Sequence, residues 1–257
     1  MNPPRIVFVT GASAGYGAAI ARRYAKQGAR VVALARRADR LEALAAEFGA
    51  SILPLAVDVR DQAAVERAVA SLPTAFAEIE VLVNNAGLAL GLEPAQRAEL
   101  DDWERMIDTN CKGLIYATRA ILPGMVARGR GHVVNIGSIA GSYPYAGGNV
   151  YGATKAFVHQ FSLNLRSDLQ GTGVRVTCIE PGMTGGTEFS EVRYHGDRQK
   201  AAGVYAGTEP LTAEDIAEAV VWSTSQPVHV NVNVIELMPT CQSFAGFQVE
   251  RKNQDTA

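Results

Sequence analysis

The sequence predicts an α/β fold in which about seven parallel strands form one doubly wound sheet with helices on both faces. Three observations predict it. Short apolar runs rich in β-branched residues alternate with helical stretches along almost the whole chain. A glycine-rich turn joins the first such run to the first helix. No linker, repeat, low-complexity segment or composition break divides the 257 residues, so they read as a single domain, 1–257.

Residues 5–9 (RIVFV) are short, apolar and β-branched, as a buried strand requires. Thr10-Gly-Ala-Ser-Ala-Gly-Tyr-Gly17 follows, and then an Ala-rich helix over 18–27. Gly11 allows a tight turn at positive φ. Gly15 lets a phosphate approach the helix N-terminus, where free N–H groups and the dipole favour anions. Gly17 permits close packing of helix on strand. The spacing is G-x-x-x-G-x-G rather than the G-x-G-x-x-G dinucleotide fingerprint, and an ordinary loop could carry it. The strand before it and the helix after it favour the phosphate reading.

Residues 29–35 (ARVVALA) are the second strand. A dinucleotide site with a free ribose 2′-hydroxyl asks for Asp or Glu at this tip. The chain gives Arg36-Arg37 instead, and guanidinium groups match a 2′-phosphate in geometry and charge. The expected cofactor is therefore NADP(H). The alternative is that both arginines begin an exposed helix over 39–48, with Asp39 meeting the ribose.

Residues 51–57 (SILPLAV) are a third strand, ending in Asp58-Val59. Asp58 can accept a hydrogen bond from an adenine amino group, or it can cap the helix from Gln62 to about Leu72. Residues 79–83 are a fourth strand, followed by Asn84-Asn85-Ala86-Gly87. Small residues there let a ligand lie against the backbone, at the edge where open α/β sheets bind ligands. Residues 100 to about 126 read as one long helix with Trp103, Met106, Ile107, Asn110 and Leu114 on one stripe. Asn110 is an amide on an apolar face. It either makes a structural hydrogen bond or supports a water near Lys155, through its backbone or its side chain.

Residues 131–137 (GHVVNIG) are the fifth strand, with Ser138 at its tip, and a Gly-, Tyr- and Pro-rich loop spans 142–148. The helix that follows, to about Leu169, carries Tyr151 and Lys155. At this spacing both side chains emerge on one face, one turn apart. A free phenol titrates near pH ~10. A neighbouring cation lowers that value, which gives a proton donor and acceptor usable near neutrality. The same Y-x-x-x-K spacing also arises by chance, with the Tyr packed on an aliphatic stem. Residues 174–179 (VRVTCI) are a sixth strand, ending in Glu180-Pro181-Gly182. Residues 183–207 are polar, Gly-rich and weakly periodic, long for a connection, as lids are. Thr212 caps a helix over 213–225, and 233–237 (NVIEL) is a last strand. The tail after Met238 is mixed and ends polar.

Composition excludes some classes. The apolar fraction of 47% permits a substantial core, and the net charge of −2 comes without a basic block, so nothing marks a nucleic-acid or anionic-membrane surface. No apolar run reaches the ~18 residues that span a bilayer, and the N-terminus lacks a signal-peptide pattern. A cytoplasmic location is expected. Cys111, Cys178 and Cys241 show neither metal spacing nor a disulfide framework, so no metal is expected. His132, His159, His195 and His229 share no spacing and read as structural or exposed.

Together these motifs resemble the short-chain dehydrogenase/reductase family. The residues that carry the resemblance are T-G-x-x-x-G-x-G at Thr10 to Gly17, N-N-A-G at Asn84 to Gly87, Asn110, Ser138, Y-x-x-x-K at Tyr151 and Lys155, and P-G at Pro181-Gly182. They occur in the family's order and cover nearly the whole chain. Three stretches further resemble the bacterial NADP-dependent 3-hydroxy acid (serine or allo-threonine) dehydrogenases: LVNNAGLALGLEP from Leu82, GSYPYAGGNVYGATKAF from Gly141 and IEPGMTGGTEFSEVR from Ile179.

The resemblance implies a Rossmann-like fold, NADP as cofactor, and hydride transfer between nicotinamide C4 and the 3-hydroxyl carbon of short 3-hydroxy acids such as serine, allo-threonine or 3-hydroxypropionate. The reverse reaction reduces a 3-oxo acid or semialdehyde. By the same resemblance, Ser138 binds the substrate oxygen, Tyr151 exchanges the proton, Lys155 holds the nicotinamide ribose and lowers the phenol pKa, and Asn110 supports a relay water. Gly11, Ser13, Gly15, Tyr16, Gly17, Arg36, Arg37, Asp58, Val59, Asn85, Ala86, Gly87, Pro181, Gly182 and Thr184 hold the cofactor with Tyr151 and Lys155. A homotetramer is implied, with the helices around Asn110 and Tyr151 at an interface. The substrate carboxylate needs a partner, and Arg193 is the candidate because Arg binds carboxylates bidentately; a solvated loop residue is the alternative. Tyr143 and Tyr145 could line the pocket. Ketones, diketones and oxo-esters are alternative substrates. A non-catalytic NADP sensor on the same fold is a further alternative, disfavoured by the intact Asn, Ser, Tyr and Lys set.

Overall fold

The apolar runs of the sequence become strands. The computed structural model describes residues 6–244. In it β1 (Ile6–Thr10), β2 (Arg30–Ala35), β3 (Ile52–Ala56), β4 (Val81–Asn84), β5 (Gly131–Ile136), β6 (Val174–Pro181) and β7 (Val234–Leu237) form one sheet. Its order is β3-β2-β1-β4-β5-β6-β7, and every pairing is parallel. The order reverses between β1 and β4, which opens a crevice at their carboxyl ends. Arg5, expected to start the first strand, and the polar end of the tail lie outside the described residues.

The strand period of two assigns side chains to two cores. Val7 and Val9 of β1 face one layer, made by α1 (Gly15–Lys26), α2 (Ala38–Phe48) and a late helix, Ala213–Ser225; Ile20, Tyr24, Leu41, Ile216 and Val220 fill it. Phe8 faces the other layer, where Ile121, Met125 and Leu165 pack on Val32, Leu82, Val133 and Val176. Each such side chain contributes roughly 1.5–3 kcal/mol on burial. The remaining helices are α3 (Gln62–Ala70), α4 (Thr74–Ala77), α5 (Leu100–Ile107), α6 (Gly113–Ala127), α7 (Asn149–Asp168), α8 (Phe189–Arg193) and α9 (Arg198–Gly203); the late helix is α10. Thr212 caps α10 in a capping box with Asp215, as the sequence predicts. Among the described residues, no helix is long and apolar enough to cross a membrane.

Two expectations change. The long helix over 100–126 is two α-helices joined by a π-helical segment, Asp108–Lys112, that contains Asn110. Met106, Asn110 and Leu114 are buried but Ile107 faces out, so the inward stripe is narrower than expected. The segment 183–207 is not a bare loop: it carries α8 and α9, the second capped by Asp197. Helices of five and six residues are too short to register as a 3.6-residue period.

Candidate active site

Helix α7 presents Tyr151 and Lys155 to the crevice, and both are buried, each 7% exposed. The ammonium of Lys155 lies 5.9 Å from the centre of the Tyr151 ring and donates to the Ile136 carbonyl at 2.9 Å. Ser138 stands at the tip of β5. Its Oγ accepts from the Ala140 amide at 3.1 Å, and its side chain is hydrogen-bonded to the Tyr151 phenol. Phe189 packs edge-on against the Tyr151 ring at 5.8 Å.

Burial disfavours charge, and it governs both titrating groups. It holds the Tyr151 phenol above its ordinary value, opposed by the Ser138 hydrogen bond. It lowers the Lys155 ammonium to about 8. The expectation that Lys155 depresses the phenol pKa is therefore not met by the protein alone: the cost of an anion in this apolar pocket exceeds what neighbouring charges return.

Asn110 is held by three hydrogen bonds. Its Oδ1 accepts from the Leu88 amide at 2.9 Å, and its Nδ2 donates to the Leu88 carbonyl at 2.8 Å and to Thr154 Oγ1 at 3.0 Å. The structural reading of this residue is met, and its bonds fix it beside the gap that faces Lys155. A Cβ on Gly87 would lie 3.3 Å from Asn110 Oδ1 and 3.6 Å from Lys155 Nζ, so glycine keeps a gap between them.

The crevice continues from this point as a cavity of about 640 Å³ that runs over the glycine-rich turn to the tip of β2. Helix α1 begins at Gly15 with Ala14 as its N-cap and no side chain bonded to its first amides, which leaves them free for an anion. Asn85 holds the turn, donating to the Thr10 and Gly11 carbonyls at 2.9 and 3.2 Å. Thr10 Oγ1 in turn accepts from the Asn85 and Ala86 amides, each at 3.0 Å. Gly17 is needed for a sharper reason than helix packing: a Cβ there would sit 2.3 Å from the Gly11 carbonyl oxygen. Tyr16 is bonded to Thr184 across the crevice, and burial pushes its phenol up to about 12. Gly11, Ser13, Gly15, Tyr16, Ala86, Gly87, Pro181, Gly182 and Thr184 all line the cavity, as do Asp58 and Val59.

The two arginines after β2 differ. Arg36 is exposed and makes no hydrogen bond or ion pair with the described residues. Arg37 is engaged: its guanidinium reaches Ser13 Oγ at 3.1 and 3.2 Å and Glu188 Oε2 at 2.8 Å. Asp58 does not cap α3; Asp61 does, accepting from the Ala64 amide at 2.9 Å. Asp58 is instead paired with Arg60 at 2.6 Å, and that hydrogen bond lowers its pKa. An NADP(H) molecule fits this donor set. Open helix amides suit a pyrophosphate, a free guanidinium suits a 2′-phosphate, and the glycine contacts leave the floor clear.

Arg193 closes the other end. It is half-buried rather than a solvated loop residue. Its Nη2 donates to the Tyr145 hydroxyl at 2.6 Å, and its guanidinium carbon lies 5.4 Å from the ring centres of both Tyr145 and Tyr151. Tyr143 also lines the cavity and donates to Glu236 at 3.3 Å. Thr187, Glu188 and Phe189 also line the cavity, and no sequence signal marks them, because nothing in residues 183–207 distinguishes a cleft-lining position from a solvated one. Of the four histidines, His132 is buried against Thr177, His159 pairs with the buried Glu180 at 2.6 Å, and His195 pairs with Asp102 at 3.0 Å.

Known proteins resemble this chain over nearly its whole length. A family model described as short chain dehydrogenase matches residues 5–197. The NADP-dependent 3-hydroxy acid dehydrogenase of Salmonella typhi is 63% identical over 96% of this chain and 99% of its own length. Its counterpart in Escherichia coli K12 is 60% identical over 96% of this chain and 100% of its own. Among solved structures, a closed form of serine dehydrogenase complexed with NADP+ is 60% identical, covers 96% of this chain and all of its own, and superposes with a TM-score of 0.95.

Proposed function

The chain belongs to the short-chain dehydrogenase family, and on that premise we propose that it is an NADP(H)-dependent oxidoreductase of short 3-hydroxy acids. It oxidises the 3-hydroxyl of substrates of the serine, allo-threonine or 3-hydroxypropionate type and, in reverse, reduces the 3-oxo acid or semialdehyde. The observation that carries this reading is the convergence of Ser138, Tyr151 and Arg193 on one pocket at the closed end of the crevice. A hydroxyl can sit against Ser138 and Tyr151 there while a carboxylate meets Arg193.

In the oxidising direction Ser138 orients the substrate hydroxyl and Tyr151 takes its proton. Because burial keeps the phenol protonated, ionising it needs positive charge brought into the pocket. NADP+ when bound supplies the hydride acceptor and a cationic ring. Lys155, titrating at about 8, binds and releases a proton close to neutrality, so it can pass the proton onward. With the side-chain amide of Asn110 committed to Leu88 and Thr154, its part in the relay falls to its backbone. Arg193 Nη1 makes no hydrogen bond with the described residues, and it offers the carboxylate its N–H groups beside the Tyr145 hydroxyl.

The copies assemble as a homotetramer through α5, α6 and α7, where Ile107, Ile115 and Phe157 expose apolar surface. The protein works in the cytoplasm as one domain, 1–257. The test is an NADP-coupled panel of hydroxy acids, simple alcohols and dicarbonyls. Hydroxy acids should show the highest kcat/KM. A preference for carboxylate-free ketones or diketones would refute the substrate class, and no turnover of any of them would favour a sensor.

A further inference from the structure

One residue just after α8 stands apart from the chemistry and yet makes a contact far along the chain. His195 is the one non-glycine residue among those described with a positive φ, 53°. That conformation closes α8: the His195 amide donates to the Val192 carbonyl at 3.1 Å and the Gly196 amide to the Glu191 carbonyl at 2.8 Å, a left-handed helix stop. His195 Nε2 lies 3.0 Å from Oδ2 of Asp102, a carboxylate that is 7% exposed in the first turn of α5. The other Asp102 oxygen has Arg105 at 3.9 Å among the described residues, and Arg105 is shared with Asp101 at 3.7 Å. A buried carboxylate needs polar partners, and the His195 ring nitrogen comes nearer to it, at 3.0 Å, than the Arg105 guanidinium does.

Two residues before His195 is Arg193. The Gly91 amide donates to the Arg193 carbonyl at 2.9 Å, and Arg193 Nε donates back to the Gly91 carbonyl at 3.4 Å. Gly91 itself lies against Asp102: a Cβ there would be 3.5 Å from Oδ2, and its φ is +67°. Next to it, Ala89 and Leu90 pack in one apolar cluster with Met106, Tyr151 and Phe189. So the end of α8, the loop over 88–91 and the start of α5 meet at the His195–Asp102 pair, and the guanidinium of Arg193 projects from that junction toward Tyr151.

We propose that His195 and Asp102 form a clasp that positions Arg193 for the substrate carboxylate. The inference rests on the reading of Arg193 given above. A long, flexible side chain clamps a small acid in register with Ser138 and Tyr151 only if its backbone is fixed. The clasp fixes it, because the pair to Asp102 ties the end of α8 to the start of α5.

Two substitutions separate clasp from turn. His195→Gly keeps the left-handed stop of α8 but deletes the contact. His195→Asn tolerates left-handed backbone and keeps a donor. With the full-length enzyme and NADP+, His195→Gly and Asp102→Asn should raise KM for a 3-hydroxy acid about tenfold while retaining most of kcat. Both should speed hydrogen exchange of the Gly91 amide, and His195→Asn should restore both readouts toward the parent. Should Asp102→Asn fold poorly, His195→Gly decides alone. If Arg193→Ala raises KM and His195→Gly does not, the clasp is wrong. If neither raises KM, the Arg193 reading fails and takes the clasp with it.

Discussion

Replacing Arg36 with alanine should remove much of the enzyme's preference for the phosphorylated coenzyme. Arg36 stands at the tip of β2 with no hydrogen bond to the described residues, so its five N–H donors are available. Hydrogen bonds to charged groups contribute about 1.5–3 kcal/mol, and the exposure of this side chain places it at the low end because solvent screens the pair. A loss of about 1.5–2 kcal/mol corresponds to roughly 10–30-fold in kcat/KM for NADPH. NADH carries no 2′-phosphate, so its kcat/KM should hardly move. The assay is carbonyl reduction with each coenzyme at low and high salt, and the NADPH advantage of the parent should itself shrink at high salt. Equal losses with both coenzymes, or no loss with NADPH, would refute the role of Arg36. Arg37→Ala is the contrasting control: it releases Ser13 and Glu188 and should weaken both coenzymes.

Two further outcomes follow from the packing and the charges. Gly17→Ala would place a Cβ 2.3 Å from the Gly11 carbonyl oxygen and 2.5 Å from Asn85 Nδ2, so the turn must move. We expect a stability loss of about 2–3 kcal/mol, seen as a Tm lower by roughly 5–10 °C, together with weaker NADPH binding in fluorescence titration; a parent-like Tm would contradict the close approach. Lys155→Met removes a buried amine whose pKa falls from 10.5 to about 8 on folding. Between those values the unfolded chain holds the extra proton, so wild-type stability rises with pH there, while below pH 8 the folded state bears the full burial cost. The variant should therefore be more stable than wild type at pH 7, by about 2–4 kcal/mol. That advantage should shrink towards pH 10.5 in urea unfolding, and a pH-independent difference would refute it.

How far the sequence could be read depends on whether a signal is local. The strands, the turn at Gly11 to Gly17 and the Tyr151–Lys155 pair are local: they follow from period two, glycine spacing and one helical turn. The binding edge is legible because an open parallel sheet has one ligand-binding end. What failed is set by partners distant in sequence. Arg36 and Arg37 look alike until Glu188 claims one of them. Asp58 and Asp61 are equal candidates for a cap until Arg60 folds back on the first. The π-helical segment at Asn110 leaves no mark on an apolar stripe that continues on either side. His195 reads as incidental because its partner, Asp102, lies on α5, far away in the sequence.

The most direct measurement is the turnover of Tyr151→Phe. Phenylalanine keeps the ring that packs on Phe189 at 5.8 Å and deletes only the hydroxyl bonded to Ser138. NADPH formation from a 3-hydroxy acid should fall by about 10²–10⁴-fold in kcat. NADP+ binding, titrated separately, should stay within about threefold of the parent, since the crevice that holds the coenzyme is intact. Turnover within about threefold of the parent would contradict proton exchange at Tyr151.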